Sequence, residues 1–318
     1  MMKMCKIKIS FLFLLVFCLN LNVYPEQPEA DEQINFVVLV AGRNAVKWHK
    51  KNLDSLFNQT YDNYDVIYID DESSDGILSK VKQYILAKGF VFFDTYNGVE
   101  NRDIEIYKNA KGKKVILVRN TKRFYKLASQ YFVTHCFCKD SDIIVELDAD
   151  DWFANKNVLS YLHSVYADKN IWLTYGQFKL HGRVGKRNKE VPQHIAENNQ
   201  FRAFGYHYTA LRAYYAGLFK RIKKEDLMSQ DDEITEFNGQ FVPVTEDQTI
   251  MFPMIEMASK GHFKFIREVL YIYNYNRPRL SQKLQEAHRR MAKLGRNISQ
   301  RVLKMKPYEP LESLNFEL

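Results

Sequence analysis

The sequence predicts an α/β fold with a mostly parallel sheet flanked by helices, and three observations carry that expectation. Several runs, such as Ile34–Ala41 (INFVVLVA) and Val115–Val118 (VILV), are continuously apolar, as strands buried on both faces must be. The segments between them space their apolar residues by three and four, the helical period. The two patterns alternate over roughly 140 residues, which is how crossover helices return a chain to parallel strands.

The elements follow in order. The first strand, Ile34–Ala41, is followed by a helix over Val46–Phe57 with Trp48, Leu53, Leu56 and Phe57 on one face. A second strand at Tyr64–Ile69 precedes a helix at Ile77–Leu86. A third strand at Val115–Val118 precedes a helix at Phe124–Phe137, and a fourth at Asp142–Leu147 precedes a helix at Val158–Ala167. A fifth strand is expected at Ile171–Tyr175. Residues 183–205 are polar and irregular and read as a loop. A helix at Gln248–Ala258 and a late strand at Phe263–Tyr273 close the alternation. From Ser281 to Met305, apolar residues from Leu284 through Leu294, Ile298 and Val302 recur by three and four. That is an amphipathic helix with a basic outer face.

Composition narrows the function classes. With 46% hydrophobic and 26% charged residues among 318, the chain is globular rather than disordered. The net charge of +8 suggests a nucleic-acid partner, but its location argues against one. Ten Lys/Arg against one acid lie between Arg277 and Lys306. The middle of the chain is close to neutral, so no nucleic-acid surface is expected there. Residues 1–24 place Lys3, Lys6 and Lys8 before the apolar FLFLLVFCL run. This reads as a signal peptide or a short membrane anchor. The chain is therefore expected to be exported or membrane-associated, with the cytosolic face of a membrane as the alternative. Cys136 and Cys138, two apart on a helix, are expected as buried thiols rather than a disulfide.

Sheets of this kind bind ligands beyond the carboxyl ends of their strands. Three acidic clusters fall in the right places. Asp70-Asp71 follows the second strand, Asp148-Ala149-Asp150-Asp151 follows the fourth, and Glu246-Asp247 opens a helix. Two carboxylates spaced D-x-D can hold a divalent cation and leave positions open for phosphate oxygens. A solvated turn accounts for DADD equally well, and acids favoured by the helix dipole account for Glu246-Asp247. An EF-hand loop is excluded, because no Gly or Glu follows at the required offsets.

The order of these motifs resembles that of family 2 glycosyltransferases. Ser55, Gln59-Thr60-Tyr61, Asn63 and Ile69-Asp70-Asp71 with Asp75-Gly76 stand where that family's opening motifs stand. DIIVELDADDW and TEDQTIMFPMIEMA resemble its later motifs, so the likeness spans residues 34–276. The resemblance implies a GT-A fold, a nucleotide-diphospho-sugar donor, a divalent metal (Mn2+ or Mg2+) and inverting, non-processive transfer of a single sugar of the hexosyl type. It implies a catalytic domain over 34–276 and a basic helical tail over 277–318. By the same resemblance, Ala41, Arg43 and Asn44 line the base and ribose pocket, and Asp70 or Asp71 accepts a hydrogen bond from the base. Asp148 contacts ribose or metal-bound water, Asp150 ligates the metal, and Asp247 is the general base with Glu246 as its alternative.

Departures are visible. Ala41-Gly42-Arg43-Asn44 replaces the family's P-x-Y-N, and Asn120-Thr121-Lys122-Arg123 stands where a Gly-rich turn is usual. Arg119, Lys122 and Arg123 are candidates for the diphosphate, His207 and His262 for a third metal ligand, and Arg212 for the acceptor. A sugar nucleotidyltransferase would need a Gly-rich loop after the first strand, which VLVAGRNAVKW lacks. The alternative from another class is an inactive module that binds sugar nucleotides or glycans. For the basic tail, anionic lipid or an acidic glycan is the expected partner, and a merely solvated face is the alternative.

Overall fold

Ten strands form a single sheet: β1 (Phe36–Gly42), β2 (Tyr64–Asp71), β3 (Val91–Tyr96), β4 (Arg102–Lys108), β5 (Lys114–Asn120), β6 (Ile143–Asp148), β7 (Trp152–Phe153), β8 (Leu173–Leu180), β9 (Ala213–Tyr215) and β10 (Phe263–Tyr273). Their spatial order is β3-β4-β5-β2-β1-β6-β9-β8-β10-β7. The computed structural model describes residues 34–181, 188–230, 235–275 and 282–316. The leader predicted at residues 1–24 lies outside them. Residues 34–318 form one compact unit.

The centre of the sheet is parallel, as the apolar runs require. β1 pairs in parallel with β2 on one side and β6 on the other, and β2 pairs in parallel with β5. Val38, Leu39 and Val40 of β1 are fully buried. The chain leaves β1 in one direction for β2 and in the other for β6. The carboxyl ends of β1, β2 and β6 therefore flank a topological switch point, where open α/β sheets place their ligands.

The helices expected around the sheet are present as α1 (His49–Phe57), α2 (Ile77–Ala87), α3 (Tyr125–Phe137) and α4 (Val158–Tyr166). They are followed by α5 (Gln193–Glu197), α6 (Phe201–Phe204), α7 (Ala216–Lys220), α8 (Glu246–Met257) and α9 (Gln282–Lys304).

Three features differ from the sequence reading. The expected loop at 183–205 contains α5 and α6, and Phe201 and Arg202 of α6 are buried. Helices of five and four residues are too short to show a period. The hairpin β3–β4 extends the sheet at one edge and was not anticipated. Its outer strand exposes Val91, Phe92 and Phe93, so the apolar residues do not alternate with polar ones. Cys136 is exposed in the last turn of α3, and only Cys138 is buried, because the chain turns extended at Cys138 and leaves the helix there. Burial pushes the Cys138 thiol up to about 12.

The tail helix packs on the unit. Leu294, Ile298 and Val302 are buried, and Met291 and Met305 are partly buried against the core. The stripe is shorter than its period suggests. Residues 285–290 are exposed on every side, Ala287 included, and the Leu284 side chain lies outside the described residues.

Candidate active site

The D-A-D-D segment at the end of β6 is held from below by one polar stripe on α1. Asn52 and Ser55 stand three apart on that helix and share a face, and Gln59 follows just past the helix end. Asn52 Nδ2 donates to the carbonyls of Asp148 (3.0 Å) and Asp151 (2.8 Å). The Phe153 amide donates to Ser55 Oγ at 3.1 Å. Gln59 donates to the Asn155 carbonyl at 2.8 Å and accepts from the Leu159 amide at 3.0 Å. The Tyr61 hydroxyl and Asn63 Nδ2 both donate to the Ile34 carbonyl, at 2.5 and 2.8 Å. The S…Q-T-Y-x-N motif is thus a clamp between α1, the start of β1 and the acidic loop. From above, the buried Asp151 carboxylate accepts from the Tyr271 hydroxyl (2.6 Å) and the Asn274 amide (2.7 Å). Burial, with Asp148 nearby, pushes Asp151 up to about 8.

The end of β1 meets this loop at Gly42. A Cβ on Gly42 would sit 2.4 Å from Ala149 Cβ, so only glycine lets the two backbones approach this closely. The Ala41 carbonyl accepts the Ala149 amide at 3.0 Å. Arg43 reaches across to Glu72, donating to its carbonyl at 3.2 Å. Asn44 (φ 54°) brackets the two loops: its amide donates to Ser73 Oγ at 2.8 Å, and its Oδ1 accepts the Ser74 amide at 2.9 Å. Asp70 and Asp71 divide their work. Asp71 caps the start of α3, accepting from the amides of Phe124 (2.8 Å) and Tyr125 (3.0 Å) and from Asn120 Nδ2 (2.8 Å). Asp70 accepts the Ser73 amide at 3.1 Å. Its carboxyl is raised from the ordinary value, chiefly by burial, with Arg119 pulling the other way. Lys122 and Arg123 lie over the Phe124 and Tyr125 rings.

Below Asp148 lies a buried ionic network that motif reading missed. Glu146, two residues earlier on the same face of β6, accepts from Arg212 Nη2 (2.7 Å), the Tyr214 hydroxyl (2.8 Å) and Gln130 Nε2 (3.1 Å). Burial alone would raise this carboxyl, but Arg212 and Lys126 hold it well below the usual carboxylate range. An acid inside the apolar run IIVEL was its only sequence signal. Lys126, at the start of α3, stands 2.6 Å from Asp148 Oδ1 and 3.2 Å from Glu146 Oε2. Burial opposes its charge, but Asp148 and Glu146 outweigh burial and raise the ammonium above its ordinary value. Arg212, a candidate for the acceptor in the sequence, is a buried partner of Glu146.

Glu246 and Asp247 open α8 about a hundred residues later, where the helix dipole favours acids. Both share this field. Lys126 interacts with Glu246, and Arg212 with Asp247. Burial, reinforced by Asp247 and Asp148, pushes Glu246 up to about 7. Tyr206 lies close enough to feel the Asp247 charge, and its hydroxyl donates to the Tyr208 carbonyl at 3.0 Å. The fold thus brings the β6 acids and the α8 acids around one lysine.

Asp148 and Asp150 offer hard oxygens at a strand end, a donor set that fits Mg2+ or Mn2+ completed by substrate phosphates. Among the described residues, no group of three or more His, Cys, Asp or Glu side chains gathers to hold a metal. The candidate histidines are engaged elsewhere. His262 stacks on Trp172 with ring centroids 3.6 Å apart, and its Nδ1 lies 2.9 Å from the Asn170 carbonyl. His207 packs edge-on against Phe204.

A sheet with a parallel centre and acids gathered at its switch point is the arrangement by which open α/β folds bind ligands. The model for glycosyl transferase family 2 matches residues 37–225, so the chain belongs to that family and is a glycosyltransferase. Among curated proteins none matches it in sequence. Solved structures resemble it in fold, the GT-A type expected from the motifs. Staphylococcus aureus TarS residues 1–349 in complex with UDP-GlcNAc aligns with a TM-score of 0.52 at 15% identity, covering 85% of this chain and 70% of that one. Glucosyl-3-phosphoglycerate synthase from Mycobacterium tuberculosis, with Mn2+, UDP and glucosyl-3-phosphoglycerate, aligns at 0.51 and 12%, covering 88% and 87%. The mannosyltransferase PcManGT from Pyrobaculum calidifontis, with GDP-Man and Mn2+, aligns at 0.50 and 14%, covering 87% and 67%. The chain spans 39% of the longer TarS structure.

Proposed function

We propose that this glycosyltransferase moves a single sugar from a nucleotide-diphosphate donor to an acceptor hydroxyl, with inversion and with a divalent cation. One observation carries the reading: Lys126 is ion-paired with Asp148 at the end of β6 and also feels the charge of Glu246 at the start of α8, so acids from two elements lie on two sides of one cation. One side then serves the diphosphate and the other the acceptor.

In this reading Asp70 accepts a hydrogen bond from the base, and Ala41 and Arg43 line its pocket beside Asn44. Asp71 acts through the α3 start it caps. Asp150 holds the cation with Asp148 beside it. When bound, the cation neutralises the diphosphate as ligand and as leaving group. Asp247 takes the proton from the acceptor hydroxyl as its oxygen attacks the anomeric carbon. The bond from that carbon to the phosphate oxygen breaks, and the nucleoside diphosphate departs with its electron pair. A single in-line displacement inverts the anomeric centre. The first turn of α8 keeps the Asp247 carboxylate oriented, with the Gln248 amide donating to its Oδ1 at 2.9 Å. Structures of similar fold carrying UDP-GlcNAc or GDP-Man and Mn2+ support a nucleotide-sugar donor and a divalent ion.

Transfer and hydrolysis of UDP- and GDP-sugars with Mn2+, in the wild type beside Asp150→Ala and Asp247→Ala, test the reading. Both variants should lose activity by about 10²-fold or more. Equal activity in all three proteins would refute the assignment and leave a binding module.

The location belongs to the same proposal. Residues 1–24 direct the chain to export or to a membrane. The exposed cations of α9, Arg289, Lys293, Arg296 and Lys304, follow one face of the helix and meet anionic headgroups. Reversing Lys293 and Arg296 to Glu should weaken binding to anionic vesicles by roughly thirtyfold or more, since each basic residue lost costs about 1 kcal/mol and the new carboxylates add repulsion. Melting should be unchanged. Undiminished vesicle binding would leave a solvated face.

A further inference from the structure

The Lys126 ammonium sits against one of the two acids proposed to hold the cation. Its Nζ is 2.6 Å from Asp148 Oδ1, and its side chain is only 16% exposed. Glu146, 3.2 Å from the same ammonium, has other partners besides it: Arg212, Tyr214 and Gln130 also bond that carboxylate. Asp148 is different: among the described residues, Lys126 is the one cation paired with its carboxylate. An ammonium and a divalent ion cannot share one carboxylate oxygen without close repulsion. A diphosphate offers the ammonium a better partner, because it carries more charge than one carboxylate.

We propose that Lys126 is a resident counter-ion that occupies Asp148 in the empty enzyme and transfers to the donor's diphosphate, so that a divalent cation binds tightly only together with nucleotide. This rests on the donor and metal reading above. The lysine's charge keeps the acidic crevice folded and neutral while it is empty. When nucleotide arrives, the ammonium turns from Asp148 to a phosphate oxygen, and the freed carboxylate joins Asp150 in facing the cation. Lys126 is thus a positioning residue that couples two ligands. The lysine leaves α3 directly after Tyr125, whose left-handed backbone (φ 64°) and Asp71-capped amide fix the helix start. Its base is rigid, and only the side chain needs to move.

The test measures Mn2+ affinity by electron paramagnetic resonance, with and without UDP or GDP, in wild type, Lys126→Gln and Lys126→Arg. In the wild type one of the two nucleotides should tighten Mn2+ by a factor in the usual coupling range, about 5–150-fold. Lys126→Gln should bind Mn2+ alone more tightly than wild type by about the same factor, and nucleotide should add little. Lys126→Arg, which keeps the charge, should behave as wild type. A gain of metal affinity is not what a damaged fold produces. Adding Asp150→Ala to Lys126→Gln should abolish the gain, which locates it at this site. If Lys126→Gln binds Mn2+ alone no better than wild type while nucleotide still tightens the metal, the counter-ion proposal is wrong and the donor reading stands. If no protein binds Mn2+ with either nucleotide, the metal reading falls, and this proposal with it.

Discussion

Gly42→Ala should damage the site through one contact, and Ala149→Gly should repair it. The added methyl would lie 2.4 Å from Ala149 Cβ, whereas the next atoms, Ala149 Cα and N, are 3.5 and 3.6 Å away. Carbon atoms pack at about 3.5 Å or more, so the acidic loop must retreat by roughly 1 Å. Asn52, Tyr271 and Asn274 hold that loop on its other sides, which leaves it little room. Overpacking of this kind costs about 1–3 kcal/mol, and a shift of about 1 Å at reacting groups costs up to 10²-fold in rate. Ala149→Gly alone costs about 1–2 kcal/mol, from lost burial and added backbone freedom. In the double variant the methyl merely changes sides, and the nearest atom is an ordinary contact. The pair should therefore be more stable than the sum of the singles by about 1–2 kcal/mol, a coupling expected only of residues in contact. Urea denaturation and kcat measured on all four proteins close the cycle. Additive losses, or a Gly42→Ala enzyme of full stability and activity, would show that this approach does not hold the site.

Two other perturbations probe the frame and the acids. Glu256 is fully buried, accepting from Arg202 at 2.5 and 2.8 Å and from the Tyr308 amide at 3.0 Å. Glu256→Ala strands the Arg202 guanidinium and should cost about 3–5 kcal/mol by denaturation; a loss below about 1 kcal/mol would mean the arginine finds water. Glu246 titrates near 7, so below that pH it is protonated, and above it adds a negative charge beside Asp247. That charge strengthens the base, so kcat/KM should rise through pH about 7, and Glu246→Gln should flatten the limb while retaining turnover. A limb that persists in Glu246→Gln belongs to another group.

What was legible in the sequence was whatever repeats or recurs. The parallel strands announce themselves as apolar runs because helices cover both faces of β1, β2, β5 and β6. β10 was placed to the residue, and α8 to within two. The three-residue β9 carries no period, and β3 puts its large apolar residues on an exposed edge. At the site, the paired carboxylates were visible as motifs, but their partners were not. Lys126 comes from α3, and Tyr206 and Arg212 from the segment that leads into β9, and only the fold sets them near Asp148, Glu146 and Asp247. The motif letters also hid a division of labour. Asp71 and Asn44, read as ligand contacts, spend their hydrogen bonds on the α3 start and on the bracket between loops. Such roles are set by backbone amides, which a side-chain pattern cannot display.

The basic tail takes on a second meaning from its inner face. Gly295 brings α9 against the residue that precedes the catalytic candidates: a Cβ there would lie 3.0 Å from Thr245 Oγ1. Thr245 Oγ1 donates to the Gly295 carbonyl at 3.2 Å, and Ser299 Oγ donates to Gln248 Oε1 at 2.7 Å. These two bonds bracket Glu246 and Asp247. Thr245 itself stands at φ 66°, a left-handed conformation that a β-branched residue adopts only when its surroundings hold it. Arg202 ties the same helix to the core by donating to the Val302 carbonyl. The tail is therefore a brace for the first turn of α8 as well as a carrier of charge. Removing it would release the acids and strip the cations in one stroke, so a truncated enzyme that lost both activity and membrane contact would say nothing about either role. The outward cations of α9 can be reversed without touching Thr245 or Gln248, and only that separation tells the charge of the tail from its grip.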